Sequence, residues 1–265
     1  MAGLSPREVR EQIRTAKWTR PTSGLCLGYQ QANMVIMPAK YAADFEAFCR
    51  ANPGPCPLLA VVPAGETEIK KLAKGSDVRT DLPSYRVFKD GQFVEQVSDI
   101  KALWRDDLVS FFLGCSFGFE RALQEGGIEV RNITEGKNVS MYTTNIQCTP
   151  VGPFNCPMVV SMRPIPVDKV ETAIQVTGNI ALAHGRPVHM GDPAAIGIRD
   201  IAQVDFGDAV TIRDGETPVF WACGVTSALA ALSAKPDLVI THAPGCMLVT
   251  DVRDSEHVDD DEHAA

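Results

Sequence analysis

Two short stretches of this sequence combine residue types that do chemistry with the punctuation that presents them. In Cys223-Gly224-Val225-Thr226 a thiol and a glycine follow the apolar run Pro218-Val219-Phe220-Trp221-Ala222 and precede a helical pattern running from Thr226 to Ala234. A helix that starts there offers free backbone N–H groups and a partial positive charge, which suits a carboxylate or a developing oxyanion. Cys223 in that position reads three ways: as a nucleophile, as part of an anion-holding turn, or as a buried thiol in a tight turn. In His242-Ala243-Pro244-Gly245 an imidazole ends the run Asp237-Leu238-Val239-Ile240-Thr241, where it could carry protons or simply cap a strand.

A third loop holds His184, His189 and Asp192. The H-x4-H-x2-D spacing is a weak metal signal because no helix fixes those ligands on one face, so no metal is expected. His189 and Asp192 read better as proton carriers or hydrogen-bond partners of a substrate. Arginine grips carboxylates in bidentate fashion, which brings in Arg79 with Asp81, Arg105 and Arg163, although Arg/Asp neighbours are more often surface ion pairs. Asn145 adds an amide, and the backbone of Gly224, Thr226 and Gly245 adds donors and close approach.

These residues need strands to hold them. Leu58–Val62 (LLAVV), 218–222 and 237–241 are short apolar runs of the kind found in buried parallel strands. Helices are expected over 5–16, with Ser5 as N-cap and Glu8 completing a capping box, and over 39–50, ended by Asn52-Pro53-Gly54-Pro55. A hairpin is expected over 85–97 around Asp90-Gly91. The stretch 105–124 reads as an apolar helix with Gly114, Cys115, Ser116 and Gly118 on a surface that must approach another backbone or a ligand closely. Extended runs at 140–148 and 158–162, a helix at 168–176 and a short strand at 209–212 complete the pattern. The expected fold is α/β: a three-layer α/β domain with parallel strands (1–112 and 188–253), a smaller two-layer α+β domain inserted mid-chain (113–187), and a disordered acidic tail (254–265).

Composition narrows the function. The formal charge of −8 is concentrated in the tail, leaving a near-neutral body with no basic cluster, which argues against nucleic acid as a partner. The first twenty residues lack the apolar core of a secretory signal, and no apolar run has the roughly 18 residues of a spanning helix, so no membrane partner is expected. The eight cysteines show no CxxC pair and read as reduced cytoplasmic thiols. GxxxxGK[ST], GxGxxG and GxSxG are all missing, so no nucleotide or flavin cofactor is indicated.

Several longer stretches are distinctive: Gln31-Ala32-Asn33, FEAFCRANPGPCP, DVRTDLPSYRV, LWRDDLVSFFLGCSFGFE, NVSMYTTNIQC, VVSMRP, HGRPVHMGDPAAIGI, DFGD, PVFWACGVT and THAPGCMLVTD. Together, over about residues 24 to 251, they resemble the D-glutamate cyclase family, whose bacterial members are named as hydro-lyases. The resemblance implies a two-domain α/β enzyme that converts D-glutamate to 5-oxo-D-proline and water, and with the nucleotide and flavin motifs missing it is expected to be cofactor-independent. On matched positions the roles expected are these: His242, or His189 with Asp192, for proton transfer; Arg79 or Arg163 for the α-carboxylate; the N–H groups of 224–226 for the oxyanion. A dehydratase of another small hydroxy or amino acid, a Cys223-dependent acyl transfer and a non-catalytic small-acid-binding protein remain alternatives, and a homo-oligomer is left open.

Overall fold

The strand β1, Tyr29–Pro38, organises the molecule, and nine of its ten residues are buried. Its centre, Ala32 to Met37, is apolar on both faces save for Asn33, so it can only lie between covered faces of a sheet. The computed structural model describes residues 3–254. The helix α1 (Pro6–Arg14) precedes β1, with Ser5 and Glu8 forming the expected capping box.

After β1 come α2 (Ala39–Ala51), β2 (Leu58–Val62), β3 (Tyr85–Lys89), β4 (Gln92–Val97), β5 (Leu108–Gly114) and α3 (Phe117–Glu125). They are followed by α4 (Arg131–Thr134), β6 (Ser140–Gln147), β7 (Pro157–Pro166), α5 (Val170–Gly178), β8 (His189–Met190) and β9 (Glu216–Ala222). The chain closes with α6 (Val225–Ser233), β10 (Val239–His242) and β11 (Leu248–Arg253). One sheet runs β2-β5-β1-β10-β3-β4, and β11 pairs with the first half of β1; the other runs β6-β7-β9-β8.

The fold is mixed α/β, but every strand pairing is antiparallel, which corrects the expectation of parallel strands. The short apolar runs signal burial on both faces, and burial says nothing about direction. β9 also belongs to the four-stranded sheet, between β7 and β8, and not with β2 and β10. The helix expected over 105–124 is a strand followed by a helix. Phe111, Phe112 and Leu113 are wholly buried opposite β1 and β2, and that tertiary pairing overrides the helical reading. Residues 209–212 form no strand, and β1 and β11 were not anticipated. The hairpin stands as expected, with Asp90 and Gly91 both at positive φ (51° and 78°), as a type I′ turn requires. The expected tail from 254 lies, beyond Asp254, outside the described residues.

One face of the larger sheet is covered by α2 and α6, through Phe45, Phe48, Ala230 and Ala231. The other is covered by the irregular segments that carry Ile69, Leu72, Val78, Leu82 and Ile100. The smaller sheet packs α3 and α5 on one side, around Trp221 and Phe119. No helix among the described residues is long and apolar enough to cross a membrane. All eight cysteines are free thiols, and seven are buried.

Candidate active site

A cavity of about 260 Å³ lies where the two sheets deliver their strand ends. Its walls include Asn33 of β1, Arg86 and Phe88 of β3, and His242 at the end of β10. The turns Cys115-Ser116 and Cys223-Gly224 complete it, with Met141 of β6 and His184. Three close approaches build it. Gly114 ends β5 where a Cβ would overlap the carbonyl oxygen of Leu182, so only glycine lets the 181–185 segment press down there. Gly224 lies where a Cβ would overlap the Asn33 side chain, and Asn33 Nδ2 in turn donates to Gly114 O at 2.7 Å. Asn33 thus links the β5 turn to the β9 turn. The third brings His184 Nδ1 to 2.8 Å from Gly54 O, with His184 on a left-handed backbone (φ 75°), an uncommon conformation for a residue with a Cβ.

The two cavity histidines are held in opposite tautomers. His184 Nδ1 lies 2.8 Å from Gly54 O; a carbonyl only accepts, so Nδ1 carries the hydrogen. That leaves Nε2 of a side chain 5 % exposed as an unprotonated nitrogen with no hydrogen-bond partner among the described residues. For His242 the shorter approach is from the Met34 amide, which donates to Nδ1 at 3.2 Å; the Met34 carbonyl is farther, at 3.4 Å. Nδ1 is therefore the acceptor, and Nε2 bears the hydrogen. Burial pushes both imidazoles down to about 4, so both are neutral at pH 7. The free nitrogen of one can accept a hydrogen bond or a proton, and that of the other can donate a hydrogen bond.

Two helices begin at the same cavity. Neither α3 nor α6 has a side-chain N-cap; their first N–H groups turn back onto Cys115-Ser116 and Cys223-Gly224, and their positive dipole ends favour negative charge in the cavity. Behind them Arg163 is 1 % exposed. It donates to Glu120 Oε1 (2.6 Å), Ser116 Oγ (3.1 Å) and Ser161 Oγ (3.0 Å), and its guanidinium lies 4.7 Å from the Phe119 ring centroid. This ion pair ties β7 to the start of α3. At the wall, Arg86 lies over the rings of Phe88 (5.3 Å) and Phe93 (4.8 Å), and no ion pair among the described residues includes it. Its guanidinium remains available to a carboxylate.

The sequence candidates divide cleanly. Cys223, Gly224, His242 and Gly245 all line this cavity. Thr226 is one residue too deep: its Oγ1 accepts from Val159 N at 3.0 Å and fastens α6 to β7. Arg163 supports the cavity from behind and does not line it. His189 is elsewhere, with Nε2 2.7 Å from Asp192 O and its ring beside Phe220, while Asp192 Oδ1 accepts from Ala194 N as a helix cap. Arg79 pairs with Asp77, Asp81 accepts from Arg14, and Arg105 bridges Asp107 and Asp237. Asn145 lies on β6, packed against Gly197. Among the described residues, no three His, Cys, Asp or Glu side chains gather as a metal ion would need.

Asn33, Arg86, Cys115, Ser116 and the free nitrogen of His184 were missed as site residues. Signals for them existed. The close-approach reading of Gly114-Cys115-Ser116 marked the right place on the wrong element, and DVRTDLPSYRV contains Arg86 beside the arginine that was chosen.

Similarity to known proteins identifies the family. Residues 109–251, more than half of the chain, match the family model described as D-glutamate cyclase. The chain belongs to the D-glutamate cyclase family. That span holds every cavity residue named above except Asn33, Arg86 and Phe88. Relatives extend over nearly the whole length. A protein of Syntrophobacter fumaroxidans named "Putative hydro-lyase" is 55 % identical, covering 95 % of this chain and 97 % of its own. YcsI of Bacillus subtilis is 53 % identical over 95 % of this chain and 98 % of its own, and GK2103 of Geobacillus kaustophilus is 53 % identical over 96 % and 97 %; both carry the same hydro-lyase name.

Proposed function

We propose that this cavity is the active site of a hydro-lyase that closes an acidic amino acid into its lactam, D-glutamate giving 5-oxo-D-proline and water. One observation carries the reading: His184, whose unprotonated Nε2 has no hydrogen-bond partner among the described residues, lines the same small cavity as His242, whose tautomer is the opposite one. Cyclisation needs this complementarity, because two protons must pass from nitrogen to the departing oxygen.

His184 Nε2 accepts the first proton from the substrate ammonium, freeing the amine to attack the γ-carboxyl carbon. His242 Nε2–H donates a hydrogen bond to a carboxyl oxygen and keeps its hydrogen, while the tetrahedral nitrogen passes its surplus proton to that oxygen. His184 then returns its proton to the hydroxyl, which leaves as water. Negative charge on the tetrahedral oxygens is favoured by the positive ends of α3 and α6. Arg86 holds the α-carboxylate. Ring closure is intramolecular, so holding the chain curled supplies much of the rate without an activating group.

The test is chiral detection of 5-oxoproline from purified protein and each glutamate enantiomer. His184→Asn and His242→Asn each replace one hydrogen-bonding ring atom and remove the other. Turnover should fall by about 10²–10⁴-fold in both, the usual range for a general base and for a hydrogen-bond donor to developing charge. Wild-type turnover in either variant, or no lactam from either enantiomer, overturns the proposal.

A further inference from the structure

Lactam formation makes no use of either cavity sulfur, yet the two sulfurs are placed alike. In each sheet a seven-residue strand (β5, β9) runs into a cysteine and one small residue, then a nine-residue helix (α3, α6). Cys115-Ser116 and Cys223-Gly224 are the two turns, and both cysteines line the cavity. The amide of Phe117 is directed to Cys115 Sγ, and those of Gly224 and Val225 to Cys223 Sγ. The sulfurs are close enough for a charge on Cys223 to oppose one on Cys115, and both are free thiols. His184, whose buried Nε2 has no hydrogen-bond partner among the described residues, lines the same space.

We propose that Cys115 and Cys223 form a two-thiol acid–base pair that removes the α-hydrogen of a bound amino acid on one face and returns one on the other, making the protein an amino-acid racemase as well. The inference rests on reading the cavity as an amino-acid site.

The step balances without any oxidant or co-reactant. His184 Nε2 takes the proton of one thiol, leaving a thiolate at a helix start. The thiolate takes the α-hydrogen: the C–H bond breaks, an S–H bond forms, and the electron pair moves into the α-carboxylate as an enediolate. The positive ends of α3 and α6 stabilise that dianionic headgroup. The opposite thiol then gives its hydrogen to Cα, so an S–H bond breaks and a C–H bond forms with inverted configuration. One thiol and one thiolate remain, exchanged between the two cysteines.

Two further features fit. Burial holds the Cys115 thiol up at about 12 and raises that of Cys223 as well, so both rest protonated and each is competent as the acid of the pair. Arg163 lies near enough to both sulfurs to favour their ionised forms, as do the amides at each helix start. Two like groups lining one cavity suit a reaction that must run in both directions, because each enantiomer can then meet a base.

The experiment is incubation of the full chain in deuterium oxide with D- and L-glutamate and D- and L-5-oxoproline. Proton resonance reads deuterium at Cα, and chiral chromatography reads inversion. The wild type should place deuterium at Cα of at least one of these pairs and form the mirror image. Cys115→Ser and Cys223→Ser should each lose inversion by at least about 100-fold, within the range for an acid–base group. Each should retain exchange with one enantiomer only, and the retained enantiomer should differ between the two. Lactam formation with no deuterium at Cα in any of the four compounds overturns the two-thiol pair and leaves the cyclase reading standing. Wild-type inversion in either serine variant also overturns it. No turnover of any kind overturns both readings. The wild-type isotope measurement decides the matter even if a serine variant fails to fold.

Discussion

Acid should weaken this protein well above the range in which carboxylates titrate, and the two cavity histidines set the size of the effect. In the unfolded chain an imidazole has its ordinary value of 6.5; in the fold, His184 and His242 are each pushed down to about 4 by burial. The folded state therefore binds fewer protons than the unfolded state between these values, and stability rises with pH through that window. Above pH 6.5 both states are neutral and the full stability is present. As pH falls, the unfolded state takes up protons first, and the loss continues until the folded histidines also protonate near pH 4. Between pH 7.5 and 5.5 this linkage costs about 1.4 kcal/mol per histidine, or about 3 kcal/mol for the two, a large share of the 5–15 kcal/mol of a typical domain. Asp77, Glu129, Glu135 and Asp237 are carboxylates that folding holds down, so their contribution is constant over that interval and is lost only at lower pH, while Asp254, raised by burial, opposes the trend. The assay is urea unfolding at pH 7.5, 6.5 and 5.5, with wild type beside the His184→Asn, His242→Asn double variant. Wild type should lose about 3 kcal/mol, and the double variant should be nearly flat. A flat wild type, or an equal slope in both proteins, refutes the assignment of buried neutral imidazoles.

Four other expectations follow from the geometry. Arg86→Gln should raise KM for an acidic substrate by about 10- to 100-fold with a smaller change in kcat, since it removes a charge-assisted bond worth about 1.5–3 kcal/mol; an unchanged KM would remove Arg86 from the site. Gly114→Ala should force the 181–185 segment off β5, costing about 1–3 kcal/mol in a thermal melt and, because His184 moves with that segment, most of the turnover; a variant with native activity would contradict the close approach seen at Leu182 O. Glu120→Ala strands the Arg163 charge at 1 % exposure and should cost about 3–5 kcal/mol in urea, against which a loss below about 1 kcal/mol would mark the pair as a surface-like bridge. His189→Asn, Arg79→Gln and Arg105→Gln should leave kcat/KM within about twofold, because their partners are local and distant from the cavity; a large loss in any of them would relocate the site.

Local chemistry made much of this molecule legible. The capping box at Ser5 and Glu8, the Asp90-Gly91 turn and the helix stop at Asn52-Pro53-Gly54 are decided by neighbours a few residues apart, and the sequence shows those neighbours directly. The strand-end loops at Cys223 and His242 were recognisable for the same reason, as apolar runs stopped by small or polar residues. Family membership was visible too, because long unusual segments carry it.

The remainder depended on which strand lies beside which. An apolar strand records that both faces are covered and leaves its direction open, so the antiparallel pairing of β1, β5 and β10 and the transfer of β9 to the smaller sheet came only with the fold. Phe111 and Phe112 suit a buried helix as well as a buried strand, and the β1 backbone opposite them decided between the two. Most of the site is of this second kind. His184 and His189 look equivalent in one loop, but Gly54 O fixes a hydrogen on one while Asp192 O engages the other. Arg79 and Arg86 look equally able to hold a carboxylate, but Asp77 occupies the first, and the second lies over aromatic rings at a cavity wall. The sequence determined which groups are capable of the chemistry. Tertiary structure decided which of them remain unpaired, because a side chain's availability depends on the partners that distant segments bring to it.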